Sequence, residues 1–178
     1  AEIKSPKDAL QYSLGLIPEN RKTQGFVKNF TNASNMALAS MNRFCSRGFV
    51  NARKIYDNCM YYTGEMNLHP AEPNYLTESL SGGNAQKVII AKWMTTDADI
   101  IIFDEPTKGI DVGAKAEIYR LMEDLVAGGK AIIMVSSELP EVIGMSDRVV
   151  VMREGKIMGF LNHDELNEEV IMSFAMGG

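Results

Sequence analysis

The sequence predicts an α/β protein: a parallel sheet, a small helical lobe placed ahead of most of its strands, and a C-terminal antiparallel hairpin. Three observations predict it. Asp99 to Phe103 and Ala131 to Val135 are short β-branched runs without polar alternation, the pattern of strands covered on both faces. Between them Ile118, Leu121, Met122, Leu125 and Val126 fall on one helical stripe. Two further runs, Arg148 to Met152 and Lys156 to Leu161, meet at Glu154-Gly155, a turn pair that joins antiparallel strands.

Taken in chain order, Leu14 to Pro18 reads as one more core strand. Thr31 to Met66 has few β-branched residues and is rich in Asn, Met and Ala, with Ile55, Cys59, Tyr62 and Met66 at helical spacing. Asn67 to Thr77, carrying Pro70 and Pro73, is a connector. Ser81 is an N-cap for a helix through Val88, Ala91 and Met94, and Trp93 is expected to pack. Asp111 caps the helix that Gly128-Gly129 ends, and a short helix follows Ser137 with Pro140 tolerated in its first turn. Asp164 is expected to open a terminal helix with Leu166, Val170, Ile171 and Phe174 inward. Strand, helix, strand, helix, strand implies a parallel sheet with an antiparallel edge. The organisation is then residues 1–30, the start of the core; 31–79, the helical lobe; and 80–178, the rest of the α/β core.

Composition narrows the function. A chain of 178 residues with 46% hydrophobic content can bury a core. The balance of 18 basic against 23 acidic residues argues against wrapping nucleic acid by bulk electrostatics. Cys45 and Cys59 do not sit in a zinc pattern and are expected as ordinary buried thiols in a reducing compartment. No apolar run approaches the roughly 20 residues that span a bilayer, so membrane association is expected through a partner. His69 and His163 read as loop or cap residues, and a chain opening on Ala1 is expected to be an excised piece.

Two segments carry chemistry. In Leu80-Ser81-Gly82-Gly83-Asn84-Ala85-Gln86-Lys87 a serine and two glycines stand at the mouth of a helix, where free N–H groups and the helix dipole favour an anion. Taken alone, the tripeptide is no more than a helix cap. In Ile100 to Thr107 an apolar strand ends in Asp104-Glu105, at the carboxyl edge where open α/β sheets bind ligands. Alternation along a strand would turn the two carboxylates to opposite sides, Asp104 toward Mg²⁺ and Glu105 toward an attacking water as general base. Together they read as half of an ATP site. The other half, a Gly-x-x-x-x-Gly-Lys-Ser/Thr phosphate loop, does not occur in these 178 residues.

These residues resemble the ATP-binding cassette (ABC) family over essentially the whole chain. Leu80 to Gly83 matches the family signature, Ile100 to Glu105 the Walker B strand, Lys108 to Asp111 the D-loop and Ala131 to Ser137 the switch strand. More narrowly, Ile17 to Lys22, Leu80 to Lys87, Asp104 to Lys115 and Ser136 to Glu141 are similar to the second cassette of bacterial monosaccharide importers of the ribose, galactose or xylose type. The resemblance implies a partial ABC ATPase, P-loop NTPase-like, being the C-terminal part of that cassette. It implies ATP and Mg²⁺ as cofactors, held only weakly or not at all by this piece. Ser81, Gly82, Gly83 and Gln86 would contact a γ-phosphate bound mainly by a partner cassette, and Asp111 would report across that interface. Glu19 would stand at the γ-phosphate-sensing position facing a transmembrane permease, which the helical lobe would dock; a periplasmic sugar-binding protein would be an indirect partner. The implied location is the cytoplasmic face of the bacterial inner membrane.

Three departures from the family pattern bear on this expectation. Ser137 stands where the usual switch histidine contacts the γ-phosphate, as is common in this importer group. Asn20 replaces an acidic residue and Ala85 a glutamine. The third is the missing phosphate loop. Two other readings stay open: a non-hydrolysing regulatory or structural cassette, and a soluble cassette ATPase acting on DNA or ribosomes, although the chain carries neither coiled-coil insert nor basic tract.

Overall fold

In the computed structural model, which describes residues 2–177, the chain forms two units, Ala1–Ile133 and Met134–Gly178. In the first, the Ser5 side chain accepts from the Asp8 N–H and Pro6 fills the first turn, starting helix α1, Pro6–Gln11. Strand β1 is Leu14–Ile17, followed by a tight π-helical turn, Arg21–Gly25. Helix α2 is Asn32–Ala37, capped by Thr31, and continues as a 3-10 segment, Leu38–Phe44. A two-residue hairpin, β2 Cys45–Ser46 and β3 Phe49–Val50, precedes helix α3, Ala52–Glu65, whose N-cap is Asn51. Helix α4 is Gly82–Met94, strand β4 Ile100–Asp104 and helix α5 Val112–Ala127; strand β5, Ala131–Val135, begins in this unit and ends in the next. The sheet order is β1–β4–β5, with β1 parallel to β4 in a register that pairs Leu14 with Ile100 and Ile17 with Phe103.

The core of this unit follows from α4. Its sequence is apolar on almost every side, which is the mark of a buried helix, and Ala85 through Lys92 are all buried. Ile17, Ile101 and Phe103 are fully buried as well. Gly15 lets β1 approach α4 closely, since a Cβ there would stand 3.1 Å from the Trp93 ring.

A polar knot ties the helical lobe together. Asn35 is buried and accepts from the Val27 N–H at 2.8 Å, while its amide donates to Val27 O at 3.1 Å and Thr77 Oγ1 at 2.9 Å. Thr77 in turn donates to Asn32 Oδ1 at 3.0 Å. Buried amides cost free energy unless paired, so this network fixes the path of residues 27–35 against the connector at Thr77.

In the second unit, helix α6 is Leu139–Met145, strand β6 Arg148–Arg153, strand β7 Lys156–Asn162 and helix α7 Glu168–Met176. Its small core joins Val151, Leu161 and Ile171 to Val142, Ile143 and Phe174. Glu154 and Gly155 both take positive φ, 50° and 75°, the backbone of the expected two-residue turn.

Four sequence expectations are corrected. The hairpin does not form an edge of the parallel sheet: β6 pairs with β7 alone, as a separate two-stranded sheet. Strand β5 is not covered on both faces: Ile133 and Val135 on its one side are about half exposed. Asp164 does not open the terminal helix; Asn162 and Glu165 close a capping box around a 3-10 turn, and Asn167 caps α7 by accepting from the Val170 N–H. Cys45 is exposed because it lies on the two-residue hairpin, whereas Cys59 is buried.

Two predictions follow from this packing. Replacing Asn35 with Ala strands the polar groups of Val27 and Thr77 and should cost about 2–3 kcal/mol in urea unfolding, against under about 0.5 if water replaces the bonds. Lys92 is buried without a carboxylate partner among the described residues, and burial pulls its amine down to about 8 from 10.5. The unfolded chain keeps that proton up to the higher value, so the cost of burying the cation is full below pH 8 and is relieved between pH 8 and 10.5. Relative to Lys92→Met, the stability of the wild type should therefore rise through that window, by up to about 1.4 kcal/mol per pH unit. A flat difference would show that Lys92 ionises as it does in water.

Candidate functional site

The N-terminal end of α4 opens to solvent on one side only. Ser81 is extended, and its Oγ accepts from the Asn84 amide side chain at 3.0 Å and from the Asn84 N–H at 3.5 Å. Ser81 and Gly82 are exposed, but Gly83 is buried, where a Cβ would stand 2.9 Å from Cβ of Ala114 on α5. The glycine is thus required for helix packing at 83, and the free amides face out at 81 and 82.

Two loops leave the carboxyl ends of the parallel strands β1 and β4, and both come to this helix end. The second loop turns sharply. Asp104 ends β4, and Glu105 has φ +49°, a left-handed conformation that non-glycine residues rarely adopt. The alternation expected for the acid pair therefore stops at Asp104, and backbone geometry rather than strand register directs Glu105. Lys108 N donates to Glu105 O at 3.2 Å and Ile110 N to Thr107 O at 3.1 Å, with Ile110 buried. Asp111 then caps α5 by accepting from the Ala114 N–H at 2.9 Å.

Arg21 joins the pieces. Its Nη2 donates to Lys108 O at 2.9 Å and more weakly to Gly109 O at 3.4 Å, and its Nη1 reaches Gln86 Oε1 at 3.5 Å. Burial pulls the guanidinium below its ordinary pKa, and among the described residues no carboxylate pairs with it. Beside it, Lys108 Nζ meets Glu19 Oε1 at 2.6 Å, and Glu19, then Glu105 and Asp104, hold the lysine above its usual value. That pair is exposed and contributes little stability. These residues border a cavity of about 430 Å³ lined by Glu19, Arg21, Lys22, Leu80, Gly82 and Lys108, among others.

The structure therefore brings together Glu19, Ser81, Gly82 and the loop leading to Asp111. Gly83 and Gln86 belong to the same helix end but are buried, Gln86 beneath Arg21. Asp104 and Glu105 are half-buried at the strand end and do not line the cavity. Ser137 belongs to the second unit, where it is exposed just before Glu138, the N-cap of α6; next to it Ser136 Oγ donates to Glu141. Arg21 is the residue that sequence reasoning missed. Its sign was an arginine with no acidic residue in the same turn, and its shortest bond goes to a backbone carbonyl, which no side-chain pattern reveals.

The donor set suits an anion better than a free metal ion. Exposed N–H groups at a helix start, with Arg21 and Lys108 beside them, present positive potential to a phosphate. Among the described residues no group of three His, Cys, Asp or Glu could hold a metal. A magnesium ion at Asp104 fits only with phosphate oxygens and waters supplying its other ligands.

The family model for the ABC transporter matches residues 2–108. The chain is 46% identical over 180 residues to the ribose import ATP-binding protein RbsA of Halalkalibacterium halodurans, covering 100% of this chain and 36% of that protein. It is 43% identical over 176 residues to the protein of the same name from Geobacillus kaustophilus, covering 99% of this chain and 36% of that protein. The chain thus spans about a third of the length of the curated relatives it matches. Among solved structures, the ADP conformation of MJ1267, an ATP-binding cassette of an ABC transporter, superposes with TM-score 0.76 at 19% identity, over 98% of this chain and 72% of that one. A post-hydrolysis dimer of the cassette MJ0796 bound to ADP and Pi gives 0.72 at 18% identity, over 91% of this chain and 68% of that one. At such identities these structures speak for the fold alone. The family model, matching more than half of the chain, and the fold lead to one conclusion: this chain belongs to the ABC transporter family.

Proposed function

We propose that this chain supplies one half of a composite ATP site in a cassette of a bacterial sugar importer, whose ATP hydrolysis drives carbohydrate uptake. Ser81 and Gly82 contact the γ-phosphate of a nucleotide held mainly by a partner cassette, with Gly83 setting their approach and Gln86 acting through Arg21. Asp104 holds Mg²⁺ together with phosphate oxygens and water. Glu105 is the general base, Ser137 the switch residue, and Asp111 the group that faces the partner cassette. Glu19 and residues 31–79 meet a transmembrane permease, and through it, indirectly, a periplasmic sugar-binding protein. Among the described residues no helix is long and apolar enough to cross a membrane, so the proposed place at the inner face of the bacterial membrane is peripheral, through the permease.

The observation that carries this reading is the convergence on one helix end. The loops after β1 and β4 are fastened beside Ser81 and Gly82 by Arg21, leaving an exposed helix start with the half-buried Arg21 and the Glu19-paired Lys108 beside it, where an anion can approach. A helix start of this kind gives a phosphate a few N–H contacts and a favourable dipole. It does not give the glycine nest and lysine that cradle β- and γ-phosphates in a phosphate loop. Affinity for ATP is therefore expected to reside in the longer polypeptide and its dimer.

The test has two arms. Titration of the 178-residue chain with a fluorescent ATP analogue should show binding far weaker than micromolar, and in the longer protein Glu105→Gln should stop turnover while ATP stays bound. Micromolar affinity of the isolated chain would refute the half-site, and unchanged turnover would remove Glu105 from the base role.

A further inference from the structure

Two buried lysines of α4 are left unused by the proposed site: Lys87, which pairs with Glu117, and Lys92, which has no carboxylate partner among the described residues. Lys92 lies on α4 beyond the ligand-facing end, 9% exposed, and its Nζ donates to Gly25 O at 2.6 Å. The ammonium also stands 5.3 Å from the centre of the Trp93 ring, which packs on Gly15 of β1. Gly25 ends the turn that Arg21 begins, and it fits only because it lacks a side chain: a Cβ would stand 2.4 Å from Ile89 Cδ1. Three residues on one face of α4, at successive spacings of three, thus each hold one point of the turn: Gln86 the Arg21 guanidinium, Ile89 the Gly25 backbone, Lys92 the Gly25 carbonyl.

A lysine is an expensive choice for that third point, because desolvating an ammonium with one carbonyl partner is unfavourable where a methionine would simply pack. What the cation adds is direction. A charge-assisted bond holds one carbonyl at one place on the helix, whereas an apolar contact could slide.

We propose that Lys92 is a positioning residue that makes the turn Arg21–Gly25 and helix α4 a single body. A displacement imposed on residues 19–24, exposed except for half-buried Arg21, then reaches Ser81 and Gly82 as a movement of the helix start instead of being absorbed by the loop. The consequence for a nucleotide rests on the proposed function; the linkage itself is a property of the chain without ligand.

Amide hydrogen exchange on the ligand-free chain tests it. In Lys92→Met the Gln24 and Gly25 amides and the Ala85 and Gln86 amides should exchange about tenfold faster, both sets together, while Phe103 keeps its protection and Lys92→Arg restores both sets. Faster exchange in the turn alone, or in neither segment, would overturn the proposal. Should Lys92→Met fail to fold, Gly25→Ala strains the same contact from the turn side. It should loosen both segments, and Ile89→Ala added to it should restore them; loosening of one segment only would again refute the linkage. Paired loosening together with micromolar ATP affinity of the isolated chain would sink the half-site reading and leave the linkage standing.

Discussion

A single half-buried guanidinium sets the arrangement on which the rest of the site depends. Arg21 gives up hydration without gaining a carboxylate, and recovers part of that cost by donating to the carbonyls of two consecutive residues, Lys108 and Gly109. Backbone carbonyls at a bend point outward only if the bend has the right shape. Gly109 at φ +67° and Glu105 at φ +49° provide that shape. A cation in the loop after one strand thus specifies the conformation of the loop after its neighbour. An ion pair could have been satisfied by many loop shapes, since a carboxylate on a long side chain follows its partner; a pair of adjacent carbonyls cannot.

The surrounding structure makes that specification rigid. Gly83 lets α4 and α5 touch at Ala114, Gly25 lets the Arg21 turn touch α4 at Ile89, and Gly15 lets β1 touch α4 at Trp93. All three contacts involve α4, a helix buried on nearly every side, so the helix works as a spine and its exposed start is the one part free to meet a ligand. In the same unit, the knot of Asn32, Asn35 and Thr77 ties the helical lobe by buried hydrogen bonds, beside buried apolar residues such as Met36 and Leu68.

Features encoded by local chemistry were legible in the sequence, and those encoded by long-range fit were not. Ser81 and Asp111 cap the helices expected of them, and Glu154-Gly155 turns the hairpin, because each acts on a backbone only a few residues away. At the terminal helix two caps competed within a short span, Asn162 with Glu165 and then Asn167, and the capping box diverted the expected start from Asp164. The depth of β5 depends on what covers it, and the exposure of Cys45 on a hairpin of two residues per strand; periodicity contains neither. Within the site, the residue types of the exposed helix start and the acid pair could be read directly. Burial of Gln86 under Arg21, and the guanidinium's hold on the Lys108 carbonyl, join residues separated by 65 and 87 positions and carry no local signature.

The most direct measurement of that hold is a ¹⁵N amide chemical-shift comparison of the chain with Arg21→Met. If the guanidinium sets the geometry of both loops and the helix start, the signals of Gly82, Asn84 and Gln86 move together with those of Ile110 and Asp111, while Thr63 in the helical lobe and the hairpin strands stay in place. Shifts confined to Glu19 through Lys22 would mean that the loop after β4 keeps its shape unaided, and that the arginine decorates the site without organising it.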